Sequence, residues 1–383
     1  MDDQTQRWNG ELSRRTLLKR GGVTLGMLAV PGLLAACGSS SDESSSAATA
    51  ATSAARTTEP PELTRLIDAI RSREVIIGSF GGTTEEARKA AFWDSFTERT
   101  GVKIRIVDIP GSLGDDMLLG KVPTRWDAVH SSGYMVLLAD EGKKPLPTLE
   151  MTEDLLPPEV AKSSFQSFYM GYVPGYITGT WDREMAGWAD FFDTRAFPGK
   201  RAWPNRYYFE GTREAALLAD GVTPEDLYPL DVERADAKIK SIWDDFVFYE
   251  AYPQIQQFLS SGTAAVAFAP NGIFSGARKQ GLDVTIDWTL PLLSLNNMAV
   301  MPDAPNLDAV QALAGWCAQP ERAAEFARRT NYGPPVRAAF DEMTEEERSQ
   351  LPNAPGRDTV MPTDKYLSQV FDKLAADNQK LFS

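Results

Sequence analysis

Glu74-Val75-Ile76-Ile77-Gly78-Ser79-Phe80, then Gly81-Gly82, then Thr83-Thr84-Glu85-Glu86 is the stretch on which the fold turns. Its first seven residues are largely apolar and β-branched, as a buried strand requires, and the glycine pair stops them. The threonines and glutamates open a helix, because hydroxyls and acids suit the positive end of the helix dipole. Phe92, Trp93 and Phe96 give that helix an apolar side, and Thr100-Gly101 ends it. A second strand over residues 102–107 alternates apolar positions with Lys103 and Arg105. This order of strand, turn, helix and strand predicts an α/β sheet with ligand chemistry at the carboxyl ends of its strands.

Outward from there, Trp126-Asp127-Ala128-Val129-His130 reads as a short strand, and Ser131-Ser132-Gly133-Tyr134 opens the next helix. A polar, glycine-containing turn at a helix start offers free N–H groups to a ligand. The chain then becomes aromatic through Phe165, Phe168, Tyr169, Tyr172 and Tyr176. Residues 182–190 and 223–226 read as helix-rich connections. Residues 232–247 read as one amphipathic helix with Ile239, Ile242 and Phe246 on one side. Residues 264–269 form a buried strand stopped by Pro270-Asn271-Gly272, residues 298–301 another, and Ala- and Glu-rich helices finish the chain.

Composition narrows the function. Among 383 residues, 53 acidic side chains face 39 basic ones, a formal charge of −14. That excludes a nucleic-acid groove, which needs a basic face to displace counterions. Two cysteines, Cys37 and Cys317, make neither a disulfide framework nor a zinc site, and no metal or other cofactor is expected. His130 is the single histidine, which removes most nucleophile-activation schemes and points away from an enzyme with catalytic residues.

The amino terminus reads as an address. Ser13-Arg14-Arg15-Thr16-Leu17-Leu18-Lys19 resembles the twin-arginine export motif, and an apolar run over 21–36 has the length of a signal core. It ends in Leu34-Ala35-Ala36-Cys37, which resembles the lipobox of bacterial lipoproteins. That resemblance implies an export signal over 1–36, acylation of Cys37, and anchoring at the outer face of the cytoplasmic membrane. Residues 37–61 are rich in Ser, Ala and Thr, too poor in apolar surface to fold, and so are expected to be a tether.

The folded part resembles bacterial extracellular solute-binding proteins of ABC importers, in the branch that includes spermidine/putrescine-binding proteins. The carriers are Gly187-Trp188-Ala189-Asp190-Phe191-Phe192-Asp193 with Phe197-Pro198-Gly199-Lys200-Arg201-Ala202, then Ala216-Leu217-Leu218-Ala219-Asp220-Gly221 with Leu227-Tyr228-Pro229-Leu230-Asp231. Phe258-Leu259-Ser260-Ser261-Gly262, Asn271-Gly272 and Pro320-Glu321 continue the same order. The resemblance implies an α/β periplasmic-binding-protein fold of type II, with two lobes joined by hinge strands and the ligand cleft between them. Matching segments put 73–175 plus 297–340 in lobe 1 and 176–296 plus 341–383 in lobe 2. A monomer that hands a small-molecule solute to ABC permease subunits is the implied partner set.

Candidate ligand residues come partly from the resemblance and partly from chemistry. Phe80, Gly82 and Thr83 sit where the family places an aromatic ligand loop, although Phe80 could equally be core. Ser131 and Ser132 match its hydroxyl-bearing turn, and His130 reads as a satisfied structural histidine. Trp203-Pro204-Asn205-Arg206-Tyr207-Tyr208-Phe209-Glu210 falls where polyamine binders carry an acidic motif, leaving Arg206, Tyr208 and Glu210 as contacts. Tyr249 and Glu250 pair a ring with a carboxylate, which suits an amine. Asn271 and Asn297 lie on segments the family uses at the cleft and hinge. Pro270, Leu295 and Asn297 stand where polyamine binders carry two tryptophans and an acid, so tight spermidine binding is not expected. Two other readings remain open: an exported hydrolase using paired carboxylates, and a ferric-ion binder using Tyr207-Tyr208.

Overall fold

The computed structural model describes residues 59–109, 113–142, 144–206 and 209–383. The export signal, Cys37 and nearly all of the tether lie outside the described residues, as do Tyr207 and Tyr208.

The opening stretch folds as read. Strand β1 (Glu74–Ser79) buries Val75, Ile77, Gly78 and Ser79, and a helix begins at Gly82. That helix passes through one wide turn at Lys89–Trp93 before ending at Thr100, where Gly101 takes φ +75° as the left-handed cap. An extra residue in a turn rotates every later side chain about the helix axis. Here Phe92, Trp93 and Phe96 all reach the core.

The remaining strands are β2 (Lys103–Asp108), β3 (Ala128–Ser132), β4 (Ser164–Ile177), β5 (Arg201–Pro204), β6 (Phe246–Tyr249), β7 (Val266–Pro270), β8 (Val284–Ile286) and β9 (Leu292–Val300). They form one mixed sheet in the order β2-β1-β3-β9-β4-β7-β5-β6, with β8 added on β4. β1 runs parallel to β2 and β3, and β5 runs parallel to β6 and β7. Between these two parallel groups run β9 and the long β4, antiparallel to each other. β4 pairs β9 from Ser164 to Tyr172 and β7 from Tyr172 to Tyr176, so this strand crosses from one half to the other.

Each half has cores on both faces of its sheet. In the first, Phe92, Phe96, Phe168, Trp316 and Phe326 lie on one side, and Tyr134, Leu156, Val160 and Leu295 on the other. In the second, Trp188, Phe191, Trp203 and Phe268 oppose Tyr249, Ile255 and Phe274. Arg201 is fully buried there because it acts as a clamp. Its Nε and Nη2 donate to the carbonyls of Phe191 and Asp193 at 3.0 and 3.1 Å, and Nη1 donates to Gly199.

Two readings are corrected, and one stretch that the sequence left unassigned is settled. The helix expected over 232–247 ends at Lys240; Trp243–Asp245 make a short turn and Phe246 enters β6, because a parallel neighbour, β5, is available there. Ser131 and Ser132 finish β3 and the helix starts at Gly133, since β9 extends far enough to pair both serines. The aromatic run after 164 is the 14-residue β4, whose burial on both faces hides any alternation.

β4 carries a bulge between Phe165 and Phe168, and Gln166 there has φ +47°. The buried Glu153 carboxylate accepts from the Ser167 N–H at 3.1 Å, while burial pushes its pKa up to about 7. Between an unfolded value near 4.5 and about 7, only the folded chain holds this proton, so raising pH through that window removes stability. Denaturation should show a loss of up to about 3 kcal/mol between pH 4.5 and 8. Glu153→Gln should make that slope shallower; an unchanged pH profile in the variant would place the titration elsewhere.

Candidate functional site

The carboxyl end of β3 and the loop after β5 converge under the C-terminal helix, Asp364–Leu381. That helix packs along Gly133–Asp140, stacking Phe371 on Tyr134 at 4.5 Å with 23° between the rings. Phe371 also meets Phe209 at 5.1 Å, and Asn378 Nδ2 donates to the Arg206 carbonyl at 2.8 Å. One helix therefore touches elements from both halves of the sheet. It covers a cavity lined by Ser132, Tyr134, Tyr172, Glu210, Arg213 and Asp364, with Leu292, Leu295 and Phe371 as apolar wall.

The charged groups of this cavity are predominantly acidic. Glu210 accepts from the Tyr172 hydroxyl at 3.2 Å and from Ser294 Oγ at 3.1 Å, and burial raises its pKa despite both bonds. Tyr172 OH lies 3.5 Å from Tyr252 OH. Glu214 accepts from Tyr228 OH at 3.3 Å and is pushed up to about 7 by burial. Asp115, on the helix Leu113–Leu118, accepts from Ser131 Oγ at 2.8 Å, and burial raises it as well. Arg213 is buried, and its Nε and Nη2 grip Asp236 at 2.9 and 3.3 Å. Its Nη1 has no hydrogen-bond partner among the described residues.

Of the residues expected from the sequence, Ser132 and Glu210 line the cavity, and Ser131 stands behind it on Asp115. Phe80 is 49 % exposed, with its ring 4.5 Å from His130. Gly82 lies at the start of the helix after β1, and Thr83 faces a separate groove with Gly272 and Tyr332. Arg206 and Glu250 are exposed. Tyr249 is buried and donates to the Phe268 carbonyl at 3.1 Å. Asn271 accepts from Gly171 N–H at 3.0 Å and donates to the Asn331 carbonyl at 2.5 Å, tying β4 to the loop at 331. Asn297 is wholly buried, on the strand face opposite Asn296. Tyr208 lies outside the described residues.

His130 is neutral: burial and the Arg88 charge hold its pKa down at about 3. Arg88 can only donate, so Nδ1 accepts from it at 3.3 Å and Nε2–H donates to Asn296 Oδ1 at 3.1 Å. Arg88 also reaches Ser79, Glu85 and Gln166, joining β1, the first helix, β3 and the β4 bulge in one network. Sequence reading missed Asp115, Tyr172, Arg213, Ser294 and Asp364. Nothing local marks them, since each matters through what the tertiary structure sets beside it.

Two parallel sheet groups joined by long shared strands, with a polar cavity where strand ends meet, define a two-lobed ligand receptor. The profile of the bacterial extracellular solute-binding protein family matches residues 91–355, and the chain belongs to that family. It is 29 % identical over 297 residues to the gamma-aminobutyric acid-binding protein of Pseudomonas aeruginosa, covering 74 % of this chain and 83 % of that one. Among solved structures it resembles the Atu4243 GABA receptor, with 27 % identity, a TM-score of 0.72, and 81 % and 98 % of the two chains covered. An ABC transporter substrate-binding protein from Bradyrhizobium japonicum USDA 110 gives 25 %, 0.72, 82 % and 100 %. AgtB of A. tumefaciens R10, solved with agropinic acid, is 23 % identical with a TM-score of 0.67 over 80 % and 98 % of the chains, a likeness of fold. The α/β two-lobe periplasmic-binding-protein fold expected from the sequence is the fold of this protein.

Proposed function

We propose that this protein is a lipid-anchored receptor that captures a small amine outside the cell membrane and delivers it to an ABC permease. The observation that carries the amine is Glu210: a half-buried carboxylate held by two hydroxyls, with no ion-pair partner among the described residues, in a cavity walled by rings. Such a group calls for a cation that arrives with the solute. Arg213 Nη1 in the same cavity suits a carboxylate at the other end, so an ω-amino acid is the favoured solute. The relatives named for γ-aminobutyric acid support that choice.

On this reading β4 and β9 are the hinge between lobe 1 (73–175 plus 297–340) and lobe 2 (176–296 plus 341–383), and the last helix reaches back across to lobe 1. Ser132 and Glu210 are primary contacts, with Ser131 behind them on Asp115. Of the other candidates, Phe80, Gly82, Thr83, Arg206, Tyr249, Glu250, Asn271 and Asn297 are not among the residues that line the cavity, and Tyr208 lies outside the described residues. Leu295 lines the cavity where polyamine binders carry a ring, so spermidine should bind more weakly than a short amino acid. Native mass spectrometry of the mature chain, purified without denaturation, tests the proposal. Retention or uptake of a solute that carries an ammonium group supports it; uptake only of solutes without one overturns it.

Anchoring carries its own expectation. Cys37→Ser should abolish acylation and release the protein from the membrane fraction, with no change in the melting of the folded part. Palmitate labelling that survives in the variant would overturn the anchor.

A further inference from the structure

Asp364 is the first residue of the C-terminal helix, is 6 % exposed and lines the cavity. Its Oδ2 has no hydrogen-bond partner among the described residues. The carboxylate is pressed against the start of the helix Gly133–Asp140: a Cβ built on Gly133 would fall 2.4 Å from Asp364 Oδ1. Only glycine leaves room for the acid in this position. Two helix amino termini offset part of the charge, yet neither leaves Oδ2 paired.

The charged and titratable neighbours are Glu159 from the short helix Pro158–Ala161 and Tyr169 of β4, with Glu210, Glu214 and Arg213 in the cavity itself. Of these only Arg213 is cationic, and Asp236 already holds it. Among the described residues no set of three or more acids, histidines or cysteines is placed to hold a metal ion. A mobile organic cation is what remains.

We propose that Asp364 is a specificity-determining residue, supplied by the C-terminal helix, whose free oxygen accepts a hydrogen bond from the ammonium of the solute. This rests on the amine reading above and adds that the last helix is part of the recognition surface. Burial and Glu159 push Asp364 up to about 7. An arriving ammonium favours the ionised carboxylate and so expels the proton that burial lets this group keep.

The test titrates the mature chain at pH 7 with 4-aminobutanoate, 5-aminopentanoate and 1,4-diaminobutane, using 4-hydroxybutanoate as the uncharged-end control. Calorimetry in two buffers of different protonation enthalpy counts the protons released. Asp364→Asn should weaken the amines that bind by about tenfold to a hundredfold, leave the hydroxy analogue unchanged and lower the number of protons released. Gly133→Ala, which displaces the carboxylate without removing it, should give a similar loss that does not add to that of Asp364→Asn. Wild-type affinity and proton release in Asp364→Asn, while Glu210→Gln still loses the amine, would overturn the Asp364 role and leave the amine reading standing. An equal loss for amine and hydroxy analogue would make Asp364 structural and also overturn it. Failure of the unaltered protein to bind any of the three amines would overturn both.

Discussion

Glu210→Gln should lower affinity for the amine by about two to three decades while leaving the empty protein as stable as before, or slightly more so. The substitution keeps the shape, and the Tyr172 and Ser294 hydroxyls can still donate to the amide oxygen. What disappears is the negative charge opposite the ammonium. Breaking a buried ion pair by removing one partner costs about 3–5 kcal/mol, and each 1.4 kcal/mol is a factor of ten. In the empty protein the same charge is a liability, because burial already raises the Glu210 pKa. Stability of the empty form should accordingly be greater at low pH, where Glu210 is protonated, and should fall as pH rises through its folded value. Calorimetry for binding and thermal melting for stability read the two effects separately. A variant that loses stability and keeps its affinity would reverse the assignment of Glu210 from ligand contact to structural group.

Trp203→Ala should destabilise the second half by about 3–5 kcal/mol, the range for emptying a large aromatic site in a core. Trp203 is 1 % exposed on β5, stacked on Phe246 at 4.9 Å and packed against Phe268 at 4.9 Å and Phe191 at 5.7 Å. These rings belong to β6, β7 and the helix Trp188–Phe192, so one indole joins three elements on one side of the sheet. Little collapse is available, because the clamp by Arg201 holds the neighbouring backbone in place. The loss should appear as a lower urea midpoint with an unchanged slope. A loss under about 1 kcal/mol would mean that the ring cluster repacks freely.

How far the sequence reaches can be judged from particular elements. β1, the helix after it and its glycine stop are legible because apolar period, caps and breakers act within a few residues. β4 is not, since a strand buried on both faces shows neither a period of two nor one of 3.6. β5 and β6 were missed for a related cause: four residues form a strand only when a neighbour supplies the hydrogen bonds. Among the residues that line the cavity, Ser132 and Glu210 were picked out by order along the chain. Tyr249 and Asn271 show the limit of that method. Their residue types suit a ligand, but the fold turns one to the Phe268 carbonyl and the other to Gly171 and Asn331.

By itself, then, the sequence determined the α/β alternation, the acidic balance and the two-lobed family fold. Those are properties of local pattern and order, which need no knowledge of what lies across the molecule. Only the tertiary structure decided the contents of the cavity. Asp364 and Ser132 are 232 positions apart, and Glu210 and Ser294 are 84 apart. They meet because β4 and β9 carry the chain from one half to the other and the last helix closes over the junction. Burial then decides their charge. A carboxylate that would ionise freely in an exposed loop is held near neutrality there, and no pattern of neighbours along the chain encodes how much water it has lost.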